Sequence, residues 1–250
     1  MKRWMAGLAA LAALAAGCGG SASGTSSGPL VVSAAASLQG ALTAYGHQFG
    51  NVRFSFAGSD QLAAQIRQGV KPDVFASANT KLPAQLYAAG LVDKPTVFAG
   101  NRLVLAVPAS SGRITSLAGV ERSGVKLAIG SATVPVGAYT RKVLAGLPAS
   151  ARGRIMANVR SEEPDVKGIV GKLTQGAVDA GFVYITDVKA AKGVLRAIEL
   201  PASLKPSAAY GVAVVKGAKH GTAAKRFVAG LLDGAGQRAL HSAGFEPPPQ

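Results

Sequence analysis

From residue 30 onward, apolar positions fall alternately into short runs and helical stripes. LVVSAA at 30–35 reads as a strand, and Leu38, Ala41, Leu42, Tyr45 and Phe49 then recur at helical spacing. VRFSFA at 52–57 alternates as a second strand, with Leu62, Ala63 and Ile66 marking an amphipathic helix behind it. DVFASA at 73–78 predicts a third strand, LPAQLYAAG a helix, and LVLAVP at 103–108 a fourth strand ended by Pro108. The same logic resumes with VKLAIG at 125–130, a helix behind Pro135, a helix through Val166, Ile169, Val170 and Leu173, and AGFVYI at 180–185. YGVAVV at 210–215 is again strand-like, and the run from Ala223 to Gly244 reads as helix.

Strands alternating with helices predict an α/β protein whose mostly parallel sheets are covered by helices on both faces. Two sheets of four or five strands fit this length more naturally than one of nine. Breaks near Pro108 and Tyr210 divide the chain into lobe I, residues 30–107 and 211–250, and an inserted lobe II, residues 108–210. Two crossings between lobes make a hinge. No solenoid-type repeat is visible.

Composition changes the picture at the amino terminus. MKRWMAGLAALAALAAG has a basic start, a short apolar stretch and small residues, as an export signal over residues 1–17 does. Cys18 is the only cysteine, which precludes an internal disulfide, and its setting AAGC resembles the lipobox of bacterial lipoproteins. That resemblance implies cleavage before Cys18, a lipid on its sulfur, and a cell-membrane protein facing outward. The Gly/Ser-rich remainder of residues 18–29 reads as a flexible tether.

The formal net charge is +15, and +13 once Lys2 and Arg3 leave with the signal. Nucleic acid is not the expected partner. The basic residues are scattered, and no aromatic-interleaved basic motif or zinc pattern accompanies them. A solvated basic surface that attracts anions or anionic lipid fits better.

Catalytic motifs fail in context. GTSSG at 24–28 matches a hydrolase pattern but lies in the tether, and GAGQRA at 234–239 follows helical sequence where a dinucleotide fingerprint needs a strand. His47, His220 and His241 have no metal-ligand spacing and read as surface residues. No enzyme and no cofactor is expected; the alternative of another class is an extracytoplasmic enzyme using a serine hydroxyl.

What remains is a set of helix mouths. Ser37 and Ser59 each follow a strand and open a helix, where unpaired N–H groups and a partial positive charge favour an anion. Either serine could instead be a helix N-cap and nothing more. Pro135, Val136 and Gly137 start another helix with small groups that let N–H groups approach a ligand, Val166 opens a further one, and Tyr184 ends a strand.

The segments AAASL, FAGSDQLAAQI, PDVFASA, VPVGAY, DVKGIVGKL, AGFVY and HSAGF, in this order, resemble the molybdate-binding proteins of bacterial ABC importers from residue 30 to the carboxy terminus. The resemblance implies a two-lobed periplasmic-binding-protein fold with the ligand in the interlobe cleft; the alternative within the class is the same fold binding sulfate or another small oxyanion. It implies capture of molybdate or tungstate by Ser37, Ser59, Val136, Val166 and Tyr184, the metal held through its oxygens, and delivery by a monomer to permease subunits. Asp60, Glu162, Glu163 and Asp165 depart from a purely neutral site, as helix-start acids or as carboxylates able to join the coordination.

Overall fold

The computed structural model describes residues 28–204 and 206–249. The leader at 1–17, Cys18 and all but the end of the tether lie outside the described residues.

The chain opens with β1 (Leu30–Ala35), a 3-10 turn (Ala36–Leu38), α1 (Gln39–Phe49), β2 (Val52–Ala57), α2 (Ser59–Arg67), β3 (Val74–Ser77), α3 (Lys81–Ala88) and β4 (Thr96–Pro108). A 3-10 turn (Leu117–Glu121) leads to β5 (Leu127–Gly130), α4 (Pro135–Ala145), α5 (Ala149–Ala157), β6 (Val159–Glu163), α6 (Val166–Thr174), β7 (Ala180–Tyr184), α7 (Ile185–Ala190) and β8 (Leu195–Ile198). After a 3-10 turn (Ala202–Leu204), β9 (Ser207–Val214), α8 (Gly221–Leu232) and α9 (Ala235–Ala243) complete it.

β1 pairs in parallel with β2 and β3, and β5 in parallel with β6 and β7. The two halves therefore share one topology, with β5 in the place of β1. Helices α1 and α4 follow the central strands, while α2 and α6 follow the outer ones. Each begins at the carboxy end of a parallel strand, where open α/β sheets bind ligands.

β4 joins the halves. Its residues Thr96 to Arg102 pair antiparallel with β9, and Leu103 to Pro108 pair with β7 and β8. Hydrogen bonding thus continues through nine strands among the described residues, where two separate sheets were expected. The reason is the length of β4, thirteen residues, extended and largely buried throughout. Residues 103–107 pair with the second half and 207–210 with the first, so partners change earlier than the breaks expected near Pro108 and Tyr210.

The core alternates across the sheet. Val74 and Ala76 join the large cluster containing Leu42, Phe227 and Leu240, while Phe75 faces Leu62, Ile66 and Leu86 on the other side. Burying such side chains stabilises by about 1.5–3 kcal/mol each, which holds the helix starts on a rigid frame.

Three elements escaped the apolar pattern. α5 buries only Ala151 and Ile155, β6 is a polar VRSEE edge with no fully buried residue, and β8 is a four-residue strip on β4. The closing helical run divides at Gly234, whose φ of 116° is open to glycine. His220 is not a surface residue: Asp73 accepts from its backbone N–H at 2.9 Å and lies 2.9 Å from its Nδ1. His47 and His241 are exposed.

Candidate functional site

Ser37, Ser59, Val136, Val166 and Tyr184 line one cavity, together with four alanines, Gly58, Val134, Pro135 and Asp165. The first half supplies Ser37 after β1 and Ser59 after β2; the second supplies Val136, Val166 and Tyr184. No lysine, arginine or histidine is among the lining residues.

Neither serine is a helix N-cap. Ser37 lies within the 3-10 turn whose cap is Ala35, and its Oγ is 3.0 Å from the Tyr210 hydroxyl. Ser59 is the first residue of α2, after Gly58, and its Oγ accepts the Ala78 N–H at 3.1 Å. An oxygen that accepts keeps its proton for another partner. The Ser59 hydroxyl can therefore donate into the cavity.

The backbone adds donors. In α2 the Leu62 N–H bonds to the Gly58 carbonyl, and in α4 the Ala138 N–H bonds to Val134, so Ser59 and Val136 stand ahead of the intrahelical ladders. In α6, Asp165 caps the N–H groups of Lys167 and Gly168 at 2.7 and 3.2 Å, and Val166 precedes both. Tyr184 is 1% exposed, and its hydroxyl has no hydrogen-bond partner among the described residues. Burial pushes its pKa well above the ordinary phenol range, so it remains a donor. A buried polar group left unpaired costs about 1–3 kcal/mol, a cost that an acceptor in the cavity removes.

Two of the acids are held in ion pairs and one caps a helix. Glu162 pairs with Arg141 at 2.9 Å, Glu163 with Lys172 at 3.5 Å and with the Ser161 hydroxyl, and Asp165 caps α6. Asp60 does not line the cavity, and its buried Oδ1 caps nothing. Gly137 also differs from expectation. A β-carbon there would stand 1.9 Å from the Ser131 carbonyl oxygen, so this glycine seats α4 against the end of β5 instead of facing a ligand.

Sequence reasoning missed the groups behind the serines, Tyr210 and Asn101, which reach the site only through the fold. The alanines that wall it were legible in AAAS and FASA only as small residues.

Helix starts converging from both halves on one cavity are what a cleft-type binding protein requires, and the comparisons agree. The family model for bacterial extracellular solute-binding proteins matches residues 30–246. The chain belongs to this family. The molybdate-binding protein ModA of Mycobacterium tuberculosis is 37% identical over 227 residues, covering 88% of this chain and 85% of that protein. A putative ABC transporter substrate-binding lipoprotein of Bacillus subtilis, YvgL, is 32% identical, covering 92% of each chain. Among solved structures, the periplasmic molybdate-binding protein of Azotobacter vinelandii matches with a TM-score of 0.78 at 22% identity, covering 88% of this chain and all of that one. Membership makes this an exported solute-binding protein whose role is to bind a cargo for an importer.

Proposed function

We propose that this solute-binding protein captures molybdate or tungstate as the tetrahedral dianion and delivers it to the permease of an ABC importer. The observation that carries the reading is the Tyr184 hydroxyl, buried without a partner in a cavity that also receives two serines and the starts of α2, α4 and α6. Hydrogen bonds to a charged acceptor contribute about 1.5–3 kcal/mol each, so several neutral donors hold a dianion without a protein cation. Helix N-termini add partial positive charge to the same region.

The ligand contacts are the hydroxyls of Ser37, Ser59 and Tyr184 and the backbone N–H groups of Val136 and Val166. Size selects within the class, because a cavity matched to molybdate leaves the shorter bonds of sulfate under-coordinated. The lining's single acid, Asp165, accepts the Lys167 and Gly168 N–H groups through Oδ1, and no histidine lines the cavity. The protein acts as a monomer, held at the membrane by a lipid on Cys18 through the tether.

A thermal-shift panel tests the reading. A ligand at a hundred times its dissociation constant adds about 2.7 kcal/mol, so molybdate and tungstate raise the melting temperature where sulfate and phosphate do so far less. Equal shifts from sulfate would move the assignment to that anion.

A further inference from the structure

Behind the cavity lies a polar chain buried where the two halves join. Asn101 and Tyr210 are each 0% exposed, Thr186 is 4% exposed, and Ser37, at 8%, is the member that reaches the cavity. Asn101 sits on β4 just before the strand changes partners, and Tyr210 sits beside it on β9.

The direction of the chain follows from one backbone group. The Arg102 N–H donates to Asn101 Oδ1 at 2.9 Å, and a backbone N–H can only donate, so Oδ1 is the acceptor end of the amide. The nitrogen end then faces two hydroxyls and has one hydrogen for each, Thr186 Oγ1 at 2.9 Å and Tyr210 Oη at 3.3 Å. Tyr210 thus receives a hydrogen bond and has its own proton to give, and Ser37 Oγ is 3.0 Å away. When Ser37 accepts that hydrogen bond, its own hydrogen is left for the cavity. Burial raises the Tyr210 pKa far beyond the physiological range, so the phenol remains a hydroxyl.

Resting on the oxyanion reading above, we propose that Asn101 and Tyr210 are positioning residues that fix Ser37 as a donor, so that the site favours a fully deprotonated oxyanion over one carrying a proton. Reversed, the chain would have Ser37 donate to Tyr210 and turn lone pairs to the cavity. Those lone pairs repel an anionic oxygen and welcome a P–OH. Asn101, Tyr210 and Ser37 all lie in the half built on β1, β3 and β9, so the polarity is set within one half.

The test is the ratio of molybdate to phosphate affinity in mildly alkaline solution, where phosphate is a dianion that still carries a proton. Molybdate is titrated calorimetrically and phosphate measured by competition, in wild type, Asn101→Asp and Tyr210→Phe. A carboxylate at position 101 only accepts, so the Tyr210 hydroxyl donates to it and Ser37 must donate backwards to Tyr210; added negative charge weakens both dianions together and leaves the ratio to report polarity. The ratio is expected to shrink by about tenfold or more in Asn101→Asp. Tyr210→Phe, the isosteric variant should the first not fold, frees Ser37 to turn either way and shrinks the ratio severalfold. An unchanged ratio in the folded variants, with wild type binding molybdate, overturns this inference alone. Wild type that binds no deprotonated oxyanion overturns the reading of the site and this inference with it.

Discussion

Gly58 and Pro164 bring the two halves together at the mouth of the cavity. A β-carbon built on Gly58 would stand 2.5 Å from the Pro164 carbonyl oxygen across the cleft, and 2.9 Å from Asp60 Oδ1, a side-chain end in its own half that can turn away. The backbone of Gly58, at φ −58° and ψ 135°, is one that alanine adopts freely. Gly58→Ala is therefore expected to fold normally and to close badly. Molybdate affinity should fall about tenfold or more, with unliganded stability within about 0.5 kcal/mol of wild type, by calorimetry and urea denaturation. Unchanged affinity would mean that this contact is not part of the bound state.

Ser59→Ala should cost stability in the unliganded protein and Tyr184→Phe should not. Removing the serine oxygen leaves the Ala78 N–H without its acceptor and costs about 1–3 kcal/mol in the unliganded protein. Tyr184→Phe deletes a hydroxyl that has no protein partner, so stability should hold or rise. Chemical denaturation without ligand measures both, and a destabilised Tyr184→Phe would show that the hydroxyl is already satisfied.

Asp73 should contribute to the acid limb of stability. Burial alone would raise its pKa, but hydrogen bonds from the Val31 N–H and from the backbone and ring of His220 outweigh burial and leave it below the ordinary value. A carboxyl depressed in the folded state stabilises above its unfolded pKa of about 3.9, and that contribution is lost as pH falls through the folded value. The gap in urea stability between wild type and Asp73→Asn should thus be large at neutral pH and narrow in acid. A gap independent of pH would contradict this.

Cys18→Ala should release the protein from the membrane fraction of its host without changing molybdate affinity, because the proposed anchor stands ahead of the domain behind a Gly/Ser-rich stretch of sequence. Fractionation and calorimetry on the variant check the two parts separately. Wild-type protein found wholly in the soluble fraction would contradict the anchor.

The alternation of LVVSAA, VRFSFA and AGFVYI with helical stripes was enough to read the α/β architecture, because LVVSAA and AGFVYI are buried as apolar runs and VRFSFA keeps its apolar side chains half-buried between exposed polar ones. β6 and α5 were invisible for the converse reason: they present mostly polar residues to solvent and bury few apolar ones. The single sheet through β4 could not be read, since continuity depends on which strands flank it. At the site, Ser37 and Ser59 were legible as hydroxyls at helix mouths, but their partners were not. Tyr210 lies 173 residues from Ser37, and the pairing of β1 with β3 and of β3 with β9 brings them to 3.0 Å.

Side-by-side calorimetric titration of molybdate into wild type and Tyr184→Phe tests the convergence of neutral donors on an oxyanion most directly. The ring is kept and only the hydroxyl goes. The account predicts one molybdate per wild-type chain and a loss of about 1.5–3 kcal/mol in the variant, on the order of tenfold to more than a hundredfold in dissociation constant. Equal dissociation constants for the two proteins would contradict it.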